Sequence, residues 1–202
     1  MPRDIVVFDL GGVLIEWNPR YLYRRLFNGD EAAMEDFLAT VCTPEWNLAQ
    51  DAGRRFDEAE AEAAARHPDK LDLIQAWRRN FHEMIPGPIA GTVAILDELR
   101  GRFVPLYALT NWSAETFAKQ PARFEFLAWF NGIVVSGLEK LAKPDPRIFR
   151  VLLERHGIDP ARAVFIDDSA PNAAAATALG MHGIRFTGPD QLRRELTALG
   201  LL

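Results

Sequence analysis

The sequence lacks the marks of a secreted, zinc-held or membrane-spanning protein. Cysteine occurs once, as Cys42, so no disulfide can close within the chain and no thiolate cluster can hold zinc. A lone cysteine fits a reducing, cytoplasmic setting and reads as a small apolar core side chain. No apolar run reaches the roughly 18 residues of a membrane span. The first residues set Asp4 and Asp9 around only four apolar positions, which predicts no signal peptide. Positive charge is also scarce: 23 Lys and Arg against 28 Asp and Glu leave a net charge of −5. Without a basic stripe, nucleic acid is not an expected partner, whereas a small anionic substrate is compatible with local positive charge. The four histidines, His67, His82, His156 and His182, have no metal-ligand spacing to one another. Internal repeats, low-complexity tails and Gly/Ser linkers are missing as well.

What is present is an ordinary globular composition, 49% hydrophobic and 25% charged over 202 residues. That length predicts one core domain with a modest insertion; either a monomer or a homodimer is expected. The organising stretch is Val6-Val7-Phe8-Asp9-Leu10-Gly11-Gly12-Val13-Leu14. Ile5 to Phe8 form a short apolar run, the pattern of a strand buried on both faces. Asp9 then falls at its carboxyl end, where open α/β sheets face their ligand crevice. By itself an acid there is a nucleophile, a metal ligand or a helix cap.

From Trp17 to Ile85 the pattern is helical. Asp30 is placed to cap a helix with Met34, Phe37, Leu38 and Val41 at i, i+3, i+4 and i+7. Asp57 to Arg66 forms a second helix ended by Pro68, and Ile74, Trp77, Phe81 and Met84 share the stripe of a third. After Pro86-Gly87-Pro88 helices and strands alternate. Val93, Leu96 and Leu99 mark a helix closed near Gly101, and Phe103 to Leu109 reads as a strand followed by Thr110-Asn111. Ser113 is expected to cap the next helix. Gly132 to Val135 is a strand, and Asp145-Pro146 opens a helix that ends at Gly157. Ala163 to Ile166 is a strand ending in Asp167-Asp168. Ser169 is expected to cap the Ala-rich helix that stops at Gly180; His182 to Phe186 and Gln191 to Leu199 are the last strand and helix. This alternation predicts a doubly wound, Rossmann-like parallel sheet, with core residues 1–16 and 87–202 and a helical cap at 17–86.

A parallel sheet brings Asp9, Thr110 with Asn111, Lys143, and Asp167 with Asp168 to one edge. Three carboxylates in one place are costly unless a cation neutralises them, and magnesium suits a carboxylate set completed by water and phosphate. Lys143 supplies a point charge just ahead of the Asp145-capped helix, whose amino end also attracts anions. Thr110 offers a hydroxyl. Such parts suit phosphoryl transfer.

In the order VVFDLGGVL, LTN, KPDPRIF and VFIDDSAPN, with a helical insert after the first motif, the chain resembles the haloacid dehalogenase superfamily over essentially its whole length. Within it the sequence looks most like the small-cap bacterial phosphatases related to glucose-1-phosphate phosphatase. The resemblance implies Asp9 as the nucleophile that forms an aspartyl-phosphate, and Thr110 and Asn111 at the phosphoryl group. It implies Lys143 as the neutralising charge. Magnesium would be held by Asp9, Asp168, the Gly11 carbonyl and, through water, Asp167, with Asn172 behind them. It therefore implies a small phosphorylated metabolite as partner, with a sugar phosphate favoured.

One position departs from the pattern. Most phosphatases of the superfamily carry a second Asp two residues after the nucleophile as general acid, and here that position is Gly11. Some close relatives share the glycine form and still look like phosphatases. A good leaving group, a water or a cap residue is then expected to compensate. The 2-haloacid dehalogenases of the same superfamily also lack the second Asp and need no metal, but the Asp167-Asp168 pair would repel a haloacid carboxylate. A non-catalytic phosphate-binding module is a third reading. Substrate choice is expected in the cap, where Trp17, Asn18, Trp46, Asn47 and Gln50 mix aromatic faces with amides; Arg20, Arg54 and Arg55 are candidates for a second anionic group.

Overall fold

The computed structural model describes residues 3–202. Five strands, β1 (Ile5–Phe8), β2 (Leu106–Thr110), β3 (Gly132–Val135), β4 (Ala163–Asp167) and β5 (His182–Arg185), pair in parallel in the order β3-β2-β1-β4-β5. The central position of β1 explains its composition: all four residues are buried, because both faces of the sheet are covered. Side chains alternate between those faces. Val6 and Phe8 join a core with α6 (Ala90–Gly101) and α11 (Pro189–Ala198), whereas Ile5 and Val7 join one with α9 (Pro146–His156) and α10 (Ala170–Ala178).

The strand expected from Phe103 begins only at Leu106. Phe103 is 92% exposed with φ of 59°, so the residues after α6 form a turn rather than an extended run. The strand compensates by running on to Thr110. Ser169 does not cap α10 with its side chain; its N–H instead donates to Asp167 Oδ1 at 2.9 Å. Asp145 does cap α9, accepting from Arg147 N at 2.9 Å. Ser113 caps the short α7 (Ala114–Phe117).

Among the described residues, 17–86 contain helices and no strand. They form α1 (Arg20–Leu26), α2 (Glu31–Thr40), α3 (Pro44–Asp51), α4 (Phe56–Arg66) and α5 (Leu71–Arg79). Asp30 caps α2 and Thr43 caps α3, the latter with Pro44 in the first turn. The stripe from Ile74 to Met84 is not one helix: α5 ends at Arg79 and Phe81–Met84 is a separate 3-10 turn. The chain leaves and re-enters the sheet side by side, because Ile15 bridges to Pro88 and Ile89 N donates to Leu14 O at 2.8 Å. No helix among the described residues is long and apolar enough to cross a membrane.

Candidate active site

Parallel pairing carries the polar residues that follow β1, β2 and β4 to one edge. Asp9 lies just past β1, with Leu10 N donating to its Oδ1 at 2.7 Å. Lys143 Nζ sits 3.0 Å from Asp9 Oδ1 and 2.7 Å from Asp167 Oδ2, and donates to Leu109 O at 2.8 Å. Its side chain is wholly buried. The backbone of Lys143 is fixed as well: Asn111 Nδ2 donates to its carbonyl at 3.0 Å, and its own N–H donates to Asn111 Oδ1 at 2.8 Å. Asp167 is saturated, accepting from Lys143, from Ser169 N and from Asn172 Nδ2 at 3.0 and 3.1 Å. Asp168 beside it is exposed, and one oxygen from each of Asp9, Asp167 and Asp168 lies within 4.8 Å of the others. Gly12, at φ of 74°, leaves the room in which the Asp168 carboxylate sits.

The charges in this cluster do not balance. Burial pushes the Asp9 carboxyl up to about 7, with Asp167 and Asp168 adding to the rise and Lys143 opposing it. Asp168 is raised too, by the partial desolvation of its carboxylate at the crevice wall and then by Asp167. Burial pulls the Lys143 ammonium down, but Asp9 and Asp167 together more than offset this and hold it above its usual value. One cation thus faces three carboxylates, and two of those are held toward their protonated forms. A divalent ion with oxygen preference fits this donor set, because it would supply the missing positive charge and restore the ionised forms. Thr110 Oγ1, at the end of β2, is buried with no hydrogen-bond partner, the state of a hydroxyl that awaits a ligand oxygen.

The cluster opens into a crevice of about 210 Å³ lined by Asp9, Gly11, Gly12, Trp17, Asn47, Asp51, Phe81, Asn111, Trp112 and Asp168. The structure therefore brings Asp9, Gly11, Trp17, Asn111 and Asp168 together at the opening, with Lys143 and Asp167 directly beneath. Trp46 is not among them. Its indole is buried, packs edge-on to Phe56 and Trp77, and donates to Ala59 O at 3.4 Å; the expectation that it meets substrate is corrected to a core role. Gln50 is buried and donates to Trp46 O. The three arginines are already paired: Arg20 with Glu35, Arg54 with Gln50 and Glu62, Arg55 with Asp57. Asp51, Phe81 and Trp112 line the crevice without having been singled out in the sequence. Nothing local marks Asp51, which is one of many acids in the helical insert.

Comparison with known proteins agrees with this geometry. Residues 3–180 match the family of haloacid dehalogenase-like hydrolases. The sesquiterpene phosphatase astK of Aspergillus oryzae is 27% identical over 96% of this chain and 94% of its own. Acyl-CoA dehydrogenase family member 10 of Mus musculus is 43% identical over 96% of this chain, which spans only 19% of that protein. A haloacid dehalogenase family enzyme of Bacteroides thetaiotaomicron, solved as a magnesium complex, superposes with a TM-score of 0.68 at 25% identity, covering 96% of this chain and 100% of that one. With the strand-end acids, the buried lysine and the helical insert all arranged about one crevice, the chain belongs to the haloacid dehalogenase-like hydrolases and is an enzyme of that family.

Proposed function

We propose that the enzyme is a magnesium-dependent phosphatase of a small phosphorylated metabolite, working through an aspartyl-phosphate on Asp9. The observation that carries this reading is the buried Lys143 between Asp9 and Asp167, with Asp168 alongside. Asp9 attacks phosphorus with the oxygen not held by Lys143 and Leu10 N. Lys143 neutralises charge on Asp9 and on the phosphoryl oxygens, and Asn111 positions it by gripping its backbone. The unpartnered Thr110 hydroxyl donates to a phosphoryl oxygen. Magnesium would be held by Asp168, Asp9 and the Gly11 carbonyl, while Asp167, its oxygens already engaged, would act through water. Magnesium, when bound, neutralises phosphoryl charge and keeps Asp9 ionised. The magnesium complex of the Bacteroides enzyme and the phosphatase activity named for the Aspergillus relative support this reading.

In this proposal residues 17–86 form a cap over a core of residues 1–16 and 87–202, and the carbon part of the substrate lies between them. Trp17 and Asn47 meet it first, pairing an aromatic face with an amide, which suits a sugar phosphate. A second reading has a specific basis. Trp17 and Asn47 also border a second cavity of about 340 Å³ whose other walls are Pro19, Leu38, Ala39, Cys42, Pro44 and Trp77, with the Arg20–Glu35 ion pair beside them. Those largely apolar walls favour an apolar alcohol as the leaving group.

The test is phosphate release from sugar, nucleotide and prenyl monophosphates, with magnesium and with chelator, using Asp9→Asn as the blank. Magnesium-dependent release that disappears in Asp9→Asn establishes the phosphatase and ranks the two substrate classes. Chelator-insensitive halide release from 2-chloropropionate would instead make it a dehalogenase, an outcome the acidic Asp167-Asp168 pair argues against. Silence in both assays would mean a substrate narrower than the panel.

A further inference from the structure

We propose that Asp51, carried by the helical insert, is the general acid missing at Gly11, and that it gives its proton to the bridging oxygen of the departing alcohol. The assignment rests on the phosphatase reading above and deepens it.

Three carboxylates line the crevice: Asp9, Asp51 and Asp168. Asp9 and Asp168 belong to the nucleophile and metal cluster, which leaves Asp51. No histidine, cysteine, lysine or tyrosine is among the lining residues, so Asp51 is the titratable group there with no other task. A Cβ at Gly11 would meet nothing within 4 Å. The space the usual acid fills is therefore open, and an acid from the opposite wall can serve the same substrate oxygen.

The structure holds Asp51 firmly for such a task. It is the last residue of α3, and its backbone carbonyl accepts from Ser136 Oγ at 2.5 Å. The same hydroxyl accepts from Trp112 N at 2.8 Å, so one side chain ties the end of α3 to the loop after β2. Ser136 itself opens α8 (Ser136–Glu139), directly after β3. The Asp51 carboxylate accepts from Asn47 Nδ2, one helical turn back, at 2.9 Å. Around it stand the Ser113 amide, Lys143 below, Asp9 and Asp168 across the crevice, and Lys140, whose side chain packs against Gly53. Burial pushes the Asp51 carboxyl up to about 7, against the lowering effects of the Ser113 amide, Asn47 and Lys143. It is thus protonated in part near neutrality, as a general acid must be.

The proton accounting closes over two steps. As the Asp9 oxygen bonds to phosphorus and the bond from phosphorus to the bridging oxygen breaks, Asp51 delivers its proton to that oxygen and a neutral alcohol leaves. The Asp51 carboxylate then takes a proton from the water that attacks the aspartyl-phosphate. The bond between phosphorus and Asp9 breaks, inorganic phosphate departs, and Asp51 is protonated again.

The experiment compares β-glycerophosphate, a poor leaving group, with 2,4-dinitrophenyl phosphate, whose phenolate leaves without a proton, for the wild type, Asp51→Asn and Asp51→Glu with magnesium. In Asp51→Asn, kcat/KM on the alkyl ester should fall at least about 100-fold, the lower end of what general acid catalysis supplies. The loss on the dinitrophenyl ester should be at least roughly tenfold smaller, and Asp51→Glu should recover part of the alkyl activity. The alkaline limb of the alkyl pH profile should vanish with Asp51→Asn. Equal losses on both esters, or no loss, overturn the assignment while leaving the phosphatase standing. Absence of magnesium-dependent release from the dinitrophenyl ester by the wild type overturns the phosphatase reading and this assignment with it. Should Asp51→Asn fail to fold, judged by circular dichroism, the wild type carries the test. A shallow fall in kcat/KM from aryl to alkyl leaving groups, with an alkaline limb near 7, supports an acid at Asp51, and a steep fall refutes it.

Discussion

A Cβ placed on Gly12 would fall 2.5 Å from Oδ2 of Asp168, so the two residues occupy a space that only glycine permits. Gly12 also has φ of 74°, which costs a side-chain-bearing residue about 1–2 kcal/mol. Gly12→Ala should therefore fold with slightly lower stability and push the Asp168 carboxylate away from Asp9. Displacing a ligand in this way typically costs about 10- to 100-fold in metal affinity. The magnesium concentration for half-maximal phosphatase activity should rise by that order, and an unchanged value would separate Asp168 from metal binding.

Lys143 offers the sharpest stability test. Its ammonium is buried between Asp9 and Asp167, and Lys143→Met would leave those carboxylates buried without their cation. Breaking a buried pair from one side costs roughly 3–5 kcal/mol. In chelator at pH 8, urea unfolding should show a loss of that order. Lys143 opposes the rise of the buried Asp9 carboxyl, so without the lysine that carboxyl moves further up, and the variant should recover stability relative to wild type as pH falls and Asp9 becomes neutral. A penalty that does not change between pH 8 and pH 5 would contradict this electrostatic account.

Much of the site was legible because strand ends announce themselves. An apolar run followed by a polar residue marks Asp9, Thr110 and Asp167, and parallel pairing then forces those ends together whatever their separation along the chain. The insert was harder, and α3 shows why. Successive helical residues point about 100° apart, so Trp46 and Asn47, neighbours in sequence, face different surroundings. Trp46 and Gln50 share the buried face, whereas Asn47 and Asp51 share the crevice. Composition alone placed Trp46 and Asn47 together in the substrate pocket; helix phase separates them. Asp51 was invisible for a further reason. Its place depends on Ser136, 85 residues away, and no local pattern encodes that contact.

The raised Asp51 carboxyl makes a separate prediction for folding. Its folded value of about 7 exceeds the ordinary 3.8, so the native state keeps a proton that the unfolded chain has already lost. Raising pH through that interval favours unfolding. The contribution is most favourable below about 4, declines between about 4 and 7, and is fully lost above. Asp51→Asn removes the dependence. Thermal unfolding in chelator should therefore show the variant gaining on the wild type as pH rises from 5 to 8. From pH 5 to the folded value of about 7 the gain is bounded by about 3 kcal/mol, at roughly 1.36 kcal/mol per pKa unit. A constant difference across that range would mean that Asp51 stays ionised throughout.

Restoring the usual acid at its own position tests the same chemistry from the opposite wall. Gly11 has open space where a Cβ would stand and no positive φ among the glycines that have one, so Gly11→Asp should be accepted by the fold. If Asp51 already donates the proton, Gly11→Asp in the wild type should change turnover of alkyl phosphates by no more than a few-fold. In Asp51→Asn the same substitution should recover a large part of the lost rate, because general acid catalysis is worth about 100- to 10,000-fold and either wall can supply it. The two backgrounds therefore discriminate: a large gain in the wild type would mean that no group now acts as acid, and a gain confined to Asp51→Asn would mean that Asp51 is that acid. A gain from the missing aspartate alone is the same in both backgrounds and gives no interaction, whereas a cap-borne acid confines the gain to Asp51→Asn and gives an interaction as large as the recovered rate. Measuring kcat/KM on β-glycerophosphate for the four proteins of this double-mutant cycle distinguishes them without reference to any natural substrate.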